Sequence, residues 1–360
     1  MRKSKAIKPA KANITIKDIA KHLGIAHSTV SRALRDHPYT NRETKERVRG
    51  AAEEIGYVPH SAARTLRSNK GVLVGLILPS IASEAYATAA QILSHRCLGE
   101  SLQMVLAISE DDPDIEYDHV EALRSARAAG IIIAPCHGLQ DRTATLLKSI
   151  PTVLYVRQQE RVRAPFVSVD SEHGIELATE HLLRLGHQRI AYLGPSKEAS
   201  PGADRLAGFV NAHAKLKVKP DMAIARHGVM DAGSARFELA ALLHSDRRPT
   251  AVLVAADPPM TGVLQAIRDA RLQVPDDISI IGYGNPRWYE VWGPGITTIA
   301  QPFTEMANRA ASELMTQIAS SSERRIVQVK LDPELILRGS TARPLPSALP
   351  RASRLNSSDV

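Results

Sequence analysis

Seven short apolar runs constrain the architecture of this chain more than any other feature. They are VLVGLIL (72–78), LQMVLAI (102–108), GIIIAP (130–135), TVLYV (152–156), RIAYLG (189–194), TAVLVAA (250–256) and ISIIGYG (278–284). Each reads as a strand buried on both faces, the pattern of a parallel sheet. Helical periodicity lies between them, as in 117–129, 172–185 and 259–270. Strands alternating with helices mean doubly wound parallel sheets. There are too many strands for one compact sheet, so two similar subdomains are expected, the second starting near Val169.

Upstream of Gly71 the texture differs. ITIKDIAKHLG and then IAHSTVSRALR (25–35) read as helix, tight turn, helix. Thr15 can cap the first helix with Asp18 three positions on, as in a capping box. Ile16, Ile19, Ala20 and Leu23 form its apolar stripe, and Gly24 supplies the left-handed residue that ends it. Val30, Ala33 and Leu34 face inward on the second helix, which leaves His27, Ser28, Ser31, Arg32 and Arg35 for other faces. A short polar helix held by a few apolar residues suits a major-groove reader, and Arg32 can donate two bonds to a guanine. The alternative is a solvated helical hairpin. Asn41 caps a third helix, 42–55, with Val48, Ala51, Ala52 and Ile55 inward and Gly56 ending it.

Charge separates the two regions. Residues 1–70 hold 16 Lys and Arg against 6 Asp and Glu, net +10, within a chain of net +8. The other 290 residues hold 30 against 32. A basic head on a near-neutral body points to a polyanion bound at one end. No apolar segment follows the basic start, so no secretory signal is expected, and no run of eighteen apolar residues spans a membrane. Cys97 and Cys136 are too few for a disulfide framework, and they read as inert thiols in a reduced cytoplasm.

The segment from Thr15 to Ser68 resembles the DNA-binding head and hinge of the LacI/GalR family of bacterial repressors. The resemblance rests on T-V-S-R (29–32), E-T-x-E-R-V (43–48), G-Y-x-P (56–59) and A-R-x-L-R (63–67) taken together, and it continues through the body. It implies a homodimer on a double-stranded DNA operator, with recognition helices in two half-sites and paired hinge helices in the central minor groove. His27, Ser28 and Arg32 match recognition positions. Tyr57 matches a backbone-contacting residue, and Leu66 matches a leucine wedged between base pairs. Ser31, Arg35, Tyr39, Ala63 and Arg67 complete the expected DNA-contacting set. Ala26 replaces the usual serine cap, a loss of roughly 1 kcal/mol, and Arg35 stands where asparagine is usual.

The resemblance also implies a body like the periplasmic sugar-binding proteins, with three crossovers, returning to the first subdomain near Ile299 and to the second near Leu331. The expected organisation is a basic disordered arm (1–12), an all-α helix-turn-helix head (13–58) and a hinge (59–70). The α/β body (71–340) follows, its two doubly wound subdomains about 71–168 with 299–330, and 169–298 with 331–340. A disordered tail (341–360) closes the chain. Without a leucine heptad, the tetramer-forming tail of one branch of the family is not expected.

Ligands in such sheets bind beyond the carboxyl ends of the strands, here in the cleft between subdomains. Ser83 and Tyr86 are the candidates after the first strand, where the family's D-x-S-N-P-F-F is altered. Val169-Asp170 resembles the family's V-D, with Asp170 equally a helix cap. Arg205, in DRLAGF, matches the arginine that grips the effector. Asp257 survives from A-N-D. The acid of G-F-D-D is missing at Gly284-Asn285, which leaves Asn285 to do part of its work. Trp288, with Tyr289 and Trp292 near it, is expected to stack on a ring, the alternative being core. The implied effector is a sugar or a sugar acid, the missing acid favouring the latter. No cofactor or metal is expected: Glu180, His181 and His187 lie on one helix and its end without a third ligand at metal-site spacing, and the histidines read as solvated. No G-x-S-x-G elbow, phosphate loop or H-E-x-x-H supports an enzyme. The other competing class is an architectural DNA-binding protein whose body binds nothing.

Overall fold

The computed structural model describes residues 14–34, 36–57, 71–198, 200–320 and 326–345. The chain divides into two compact units, 1–70 and 71–360.

In the first unit, α1 (Ile16–Leu23), α2 (His27–Leu34) and α3 (Arg42–Glu54) pack on one small core. The Asp18 carboxylate accepts from both the backbone N–H and the hydroxyl of Thr15, each at 2.7 Å. Those bonds also hold its pKa below the usual carboxylate range. Gly24 takes φ 65° and ends α1. At the start of α2 only the backbone serves, the Ala26 carbonyl accepting from Thr29 and Val30 at 2.9 and 3.2 Å. Asn41 Oδ1 accepts from the Thr44 N–H at 2.8 Å and caps α3. Ile19, Val30, Ala33 and Val48 are fully buried. The other buried members are Ala20, Ala51 and Ala52, and the larger residues around them, such as Ile16, Leu23 and Ile55, are only partly buried, so a small apolar core holds this unit together.

The second unit carries two six-stranded sheets. The first contains β1 (Leu73–Leu78), β2 (Gln103–Ile108), β3 (Gly130–Ile133), β4 (Thr152–Tyr155), β5 (Phe166–Val169) and β11 (Gln328–Leu331) in the order β2-β1-β3-β4-β5-β11, all parallel. The second contains β6 (Ile190–Gly194), β7 (Ala225–His227), β8 (Ala251–Val254), β9 (Ser279–Tyr283), β10 (Thr297–Ala300) and β12 (Glu334–Ile336) in the order β7-β6-β8-β9-β10-β12. Only β12 is antiparallel, to β10. Between the strands run α4 (Glu84–Gly99), α5 (Pro113–Ser125), α6 (Asp141–Lys148), α7 (Ser171–Arg184), α8 (Ser200–Lys215), α9 (Ala232–Leu243) and α10 (Met260–Asp269). The short α11 (Trp288–Val291) and the long α12 (Phe303–Ala319) complete the set.

Burial explains the continuous apolar runs. On β1, Leu76 and Leu78 pack with Leu93 of α4 and Ala310 and Leu314 of α12. Ile77 points the other way, onto Val120, Leu123 and Leu147 of α5 and α6. Both faces are covered, so every position is apolar although the side chains alternate. The chain crosses between sheets after β5, after β10 and after β11. The second crossing comes at Gln301-Pro302, slightly later than Ile299, because Ala300 is still paired with Glu334 of β12.

Residue 341 does not begin a disordered tail. Ser340 donates to the Ile280 carbonyl at 2.7 Å, and the Ala342 N–H donates to Ser279 at 3.0 Å. His187 is 2% exposed, not solvated. Its Nδ1 lies 2.9 Å from Thr250 Oγ1 and its Nε2 2.9 Å from the Ala342 carbonyl. His181 Nε2 lies 2.9 Å from Thr341 Oγ1. Burial lowers the pKa of both rings, which act as struts for residues 340–342. The arm (1–12) and residues 346–360 lie outside the described residues.

Candidate functional site

In the helical unit, the pattern of α2 turns Val30 and Ala33 into the core and His27, Ser28 and Arg32 outward, all three exposed. Ser31 is half-buried between these faces. Tyr39, in the loop after α2, is 94% exposed, whereas Tyr57 packs on the core with its N–H on the Ala52 carbonyl at 2.8 Å. Asp36 accepts from Lys45 and Arg49 of α3 at 3.1 and 3.3 Å and so ties the loop to that helix. Among the described residues, no acid is tied in this way to His27, Ser28, Arg32 or Tyr39. Arg35, Ala63, Leu66 and Arg67 lie outside the described residues, as does the expected hinge.

In the larger unit, the carboxyl ends of β1, β4, β6, β8 and β9 meet the second crossover around a cavity of about 370 Å³. Ser83, Tyr86, Arg205 and Asp257 line it. Gly208 sets where Arg205 stands. A Cβ there would lie 2.1 Å from the Glu172 carbonyl, so only glycine lets α8 lie this close to α7. Arg205 is 9% exposed. Its Nη1 donates to the Ala255 carbonyl at 2.7 Å, and its guanidinium lies 3.9 Å from the centre of the Tyr283 ring. Its Nε has no acceptor. The Tyr283 hydroxyl is itself anchored, 2.9 Å from Ser171 Oγ.

Asp257 is pushed up to about 6, chiefly by burial and then by the nearby charge of Glu84, and is partly offset by the Tyr289 hydroxyl at 3.5 Å. Burial also raises Glu84, against the Arg287 charge. Arg157 reaches the cavity but is already paired with Asp111. Ser83 accepts the N–H groups of Tyr86 and Ala87 through its carbonyl, and its hydroxyl is not used as the α4 cap. Tyr86 is buried, which raises its phenol.

Asn285 and Trp288 do not line the cavity. Asn285 Oδ1 accepts from Arg338 Nη2 at 2.8 Å. Trp288 and Trp292 pack against the core of the second sheet, and Trp288 meets Tyr289 edge-on at 4.5 Å. The four-residue α11 places its aromatic residues on that core, where Tyr289 is fully buried. Asp170 caps α7, its Oδ1 accepting from the His173 N–H at 3.0 Å. The two cysteines are buried, and burial pushes Cys136 up to about 12.

Glu84, Arg157, Tyr283 and Gln301 line the cavity without having been singled out in the sequence. Tyr283 and Arg157 end or closely follow apolar runs, so the rule that ligands sit past strand ends would have found them. Gln301 follows the weak run TTIA, which gives no such signal. Among the described residues no group of three or more His, Cys, Asp or Glu is arranged to hold a metal ion. No described helix is long and apolar enough to cross a membrane.

A helix-turn-helix unit joined in one chain to a two-sheet body with a cleft defines a DNA-binding regulator with a ligand-type domain. Comparison agrees for both parts. Residues 15–60 match the bacterial regulatory proteins of the lacI family, and residues 179–341 match the periplasmic binding protein-like domain. The chain is 28% identical over 332 residues to the HTH-type transcriptional repressor PurR of Mannheimia succiniciproducens, covering 91% of this chain and 99% of that one. The PurR of Pasteurella multocida is 29% identical over 330 residues, 91% and 98% covered. The structure of the Lac repressor dimer bound to operator and the anti-inducer ONPF superposes with a TM-score of 0.80 at 25% identity, covering 91% of this chain and 99% of that one. The chain belongs to the LacI/GalR family. It is a DNA-binding transcriptional repressor and not an enzyme.

Proposed function

We propose that this repressor is a homodimer whose hold on a pseudo-palindromic operator is set by a sugar in the cleft, and that it controls genes of carbohydrate metabolism in the cytoplasm. The observation that carries this reading is Arg205: nine-tenths buried at the wall of a 370 Å³ cavity, with a donor lacking an acceptor. A guanidinium so placed grips hydroxyl oxygens with fixed geometry. Tyr283 and Phe303 add apolar faces against which sugar C–H groups pack. Of the two expected forms, a sugar acid is the less favoured, since Glu84 and Asp257 would repel its carboxylate.

In the head, His27, Ser28, Ser31, Arg32 and Arg35 read base edges, and Tyr39 and Tyr57 contact the backbone. In the hinge, Leu66 wedges between base pairs with Ala63 and Arg67 beside it. Ligand held by both subdomains favours one orientation of them, and the hinge transmits it. A ligand shifts that balance only by its differential affinity for the two states. Arg205→Ala should keep operator binding and lose the response to ligand. Operator titrations with and without the best ligand of a sugar screen decide it: a variant that responds at the same ligand concentration removes Arg205 from the site.

A further inference from the structure

The chemistry of the cleft restricts its ligand more narrowly than the sugar reading, on which the following rests. Two acidic residues line it from opposite subdomains, Glu84 exposed at its mouth and Asp257 half-buried. Glu84 opens α4 on the first, and Asp257 follows β8 on the second. They stand close enough for the Glu84 charge to act on Asp257. A side chain at Gly284 would begin 3.5 Å from the Asp257 Cβ, so Asp257 fills the space beside the position where the family's acid is absent. Arg287 acts on Glu84 but does not outweigh its burial, and it does not line the cavity; the positive groups that do line it are engaged elsewhere. Arg157 is spent on Asp111, and Arg205 is turned onto the Ala255 carbonyl and the Tyr283 ring.

Two residues that line the cavity carry a buried donor with no acceptor among the described residues, Arg205 Nε and Gln301 Nε2. An unmet buried donor is costly, and a small turn of either side chain towards the cavity would let a ligand oxygen satisfy it. Gln301 lies at the crossover where β10 gives way to α12, so a bond to it engages the segment joining the subdomains. The ligand must therefore bring an acceptor to Arg205 and Gln301 and a donor, best a positive one, to Glu84 and Asp257.

We propose that the ligand is an amine-bearing sugar, its ammonium held between Glu84 and Asp257 and a hydroxyl or ring oxygen taking bonds from Arg205 and Gln301. The ammonium offsets the repulsion that rises as the two subdomains approach. A carboxylate ligand would add a third negative charge to the same space.

The test uses the full chain, dialysed, near neutral pH. Thermal shift and calorimetric titration are run with amino hexoses, their neutral parent hexoses, the corresponding uronic acids and purine bases. An amino hexose should raise the melting temperature and bind at least about tenfold more tightly than its parent. Glu84→Gln and Asp257→Asn, tested separately so that one misfolded variant does not decide the matter, should each erase most of that preference. A neutral hexose or uronic acid that binds more tightly than every amino hexose overturns the amine assignment and leaves the sugar reading standing. An undiminished preference in both variants overturns the carboxyl pair. Binding by purine bases alone, or by no compound, sinks the sugar reading and this proposal with it.

Discussion

Arg32 and Arg205 show how differently one residue type is used in this chain. Arg32 is exposed, one position before the fully buried Ala33, and is free to follow a groove. Arg32→Ala should relax base preference at one half-site position with a loss of about 1–3 kcal/mol. Binding-site selection checks this, and identical preferred sites for both proteins would rule out a guanine contact. Asp257 gives a second test. Its folded-state pKa of about 6 stands above the ordinary 3.8. The native state then keeps its proton to higher pH than the unfolded chain, so stability falls as pH rises through the window between the two values. The effect is on the order of 2 kcal/mol after discounting for water in the cleft. Asp257→Asn should flatten the pH dependence of body unfolding across that window, and an unchanged profile would mean that the carboxyl is solvated.

At the scale of elements, the three-helix unit and the sheets differ in how much they can lose. Ile19 is fully buried in a core otherwise rich in alanine. Ile19→Ala should cost about 2–4 kcal/mol, most of what so small a core supplies. Calorimetry should then show the head transition gone and the body transition in place, with operator binding lost. Loss of both transitions together would show that the two units do not fold independently. The inner strands sit between helices on both sides and pack on two cores at once, whereas the run of β2, at the edge of its sheet, leaves Val105 and Leu106 exposed rather than buried on both faces.

Across the whole molecule, the basic excess is confined to the first 70 residues, +10 against −2 for the remainder. Operator affinity should therefore depend steeply on salt. With six or more phosphates neutralised, it should fall by about a thousandfold or more between about 50 and 200 mM. Filter binding or anisotropy across that range checks it, and a nearly flat response would show that the head does not bind through phosphates.

The sequence by itself determined the element types, the two-part organisation and the family. These depend on local periodicity, caps and short motifs: Gly24 and Asn41 act where their chemistry predicts. Arg205 was legible because DRLAGF resembles a family motif, and the structure adds that the glycine of that motif is needed for helix packing. Tertiary structure decided which polar groups converge. Trp288 and Asn285 were misplaced because composition tells how many aromatics and amides follow β9 but not which way a four-residue helix turns them. His187 reads as a surface residue until Thr250, Ser279 and Ala342, far apart in sequence, close around it. Gln301 carries no local signal, since its role depends on a crossover that brings β10, α12 and the ends of strands from both sheets to one cavity. Convergence of that kind depends on long-range packing, which no local pattern encodes.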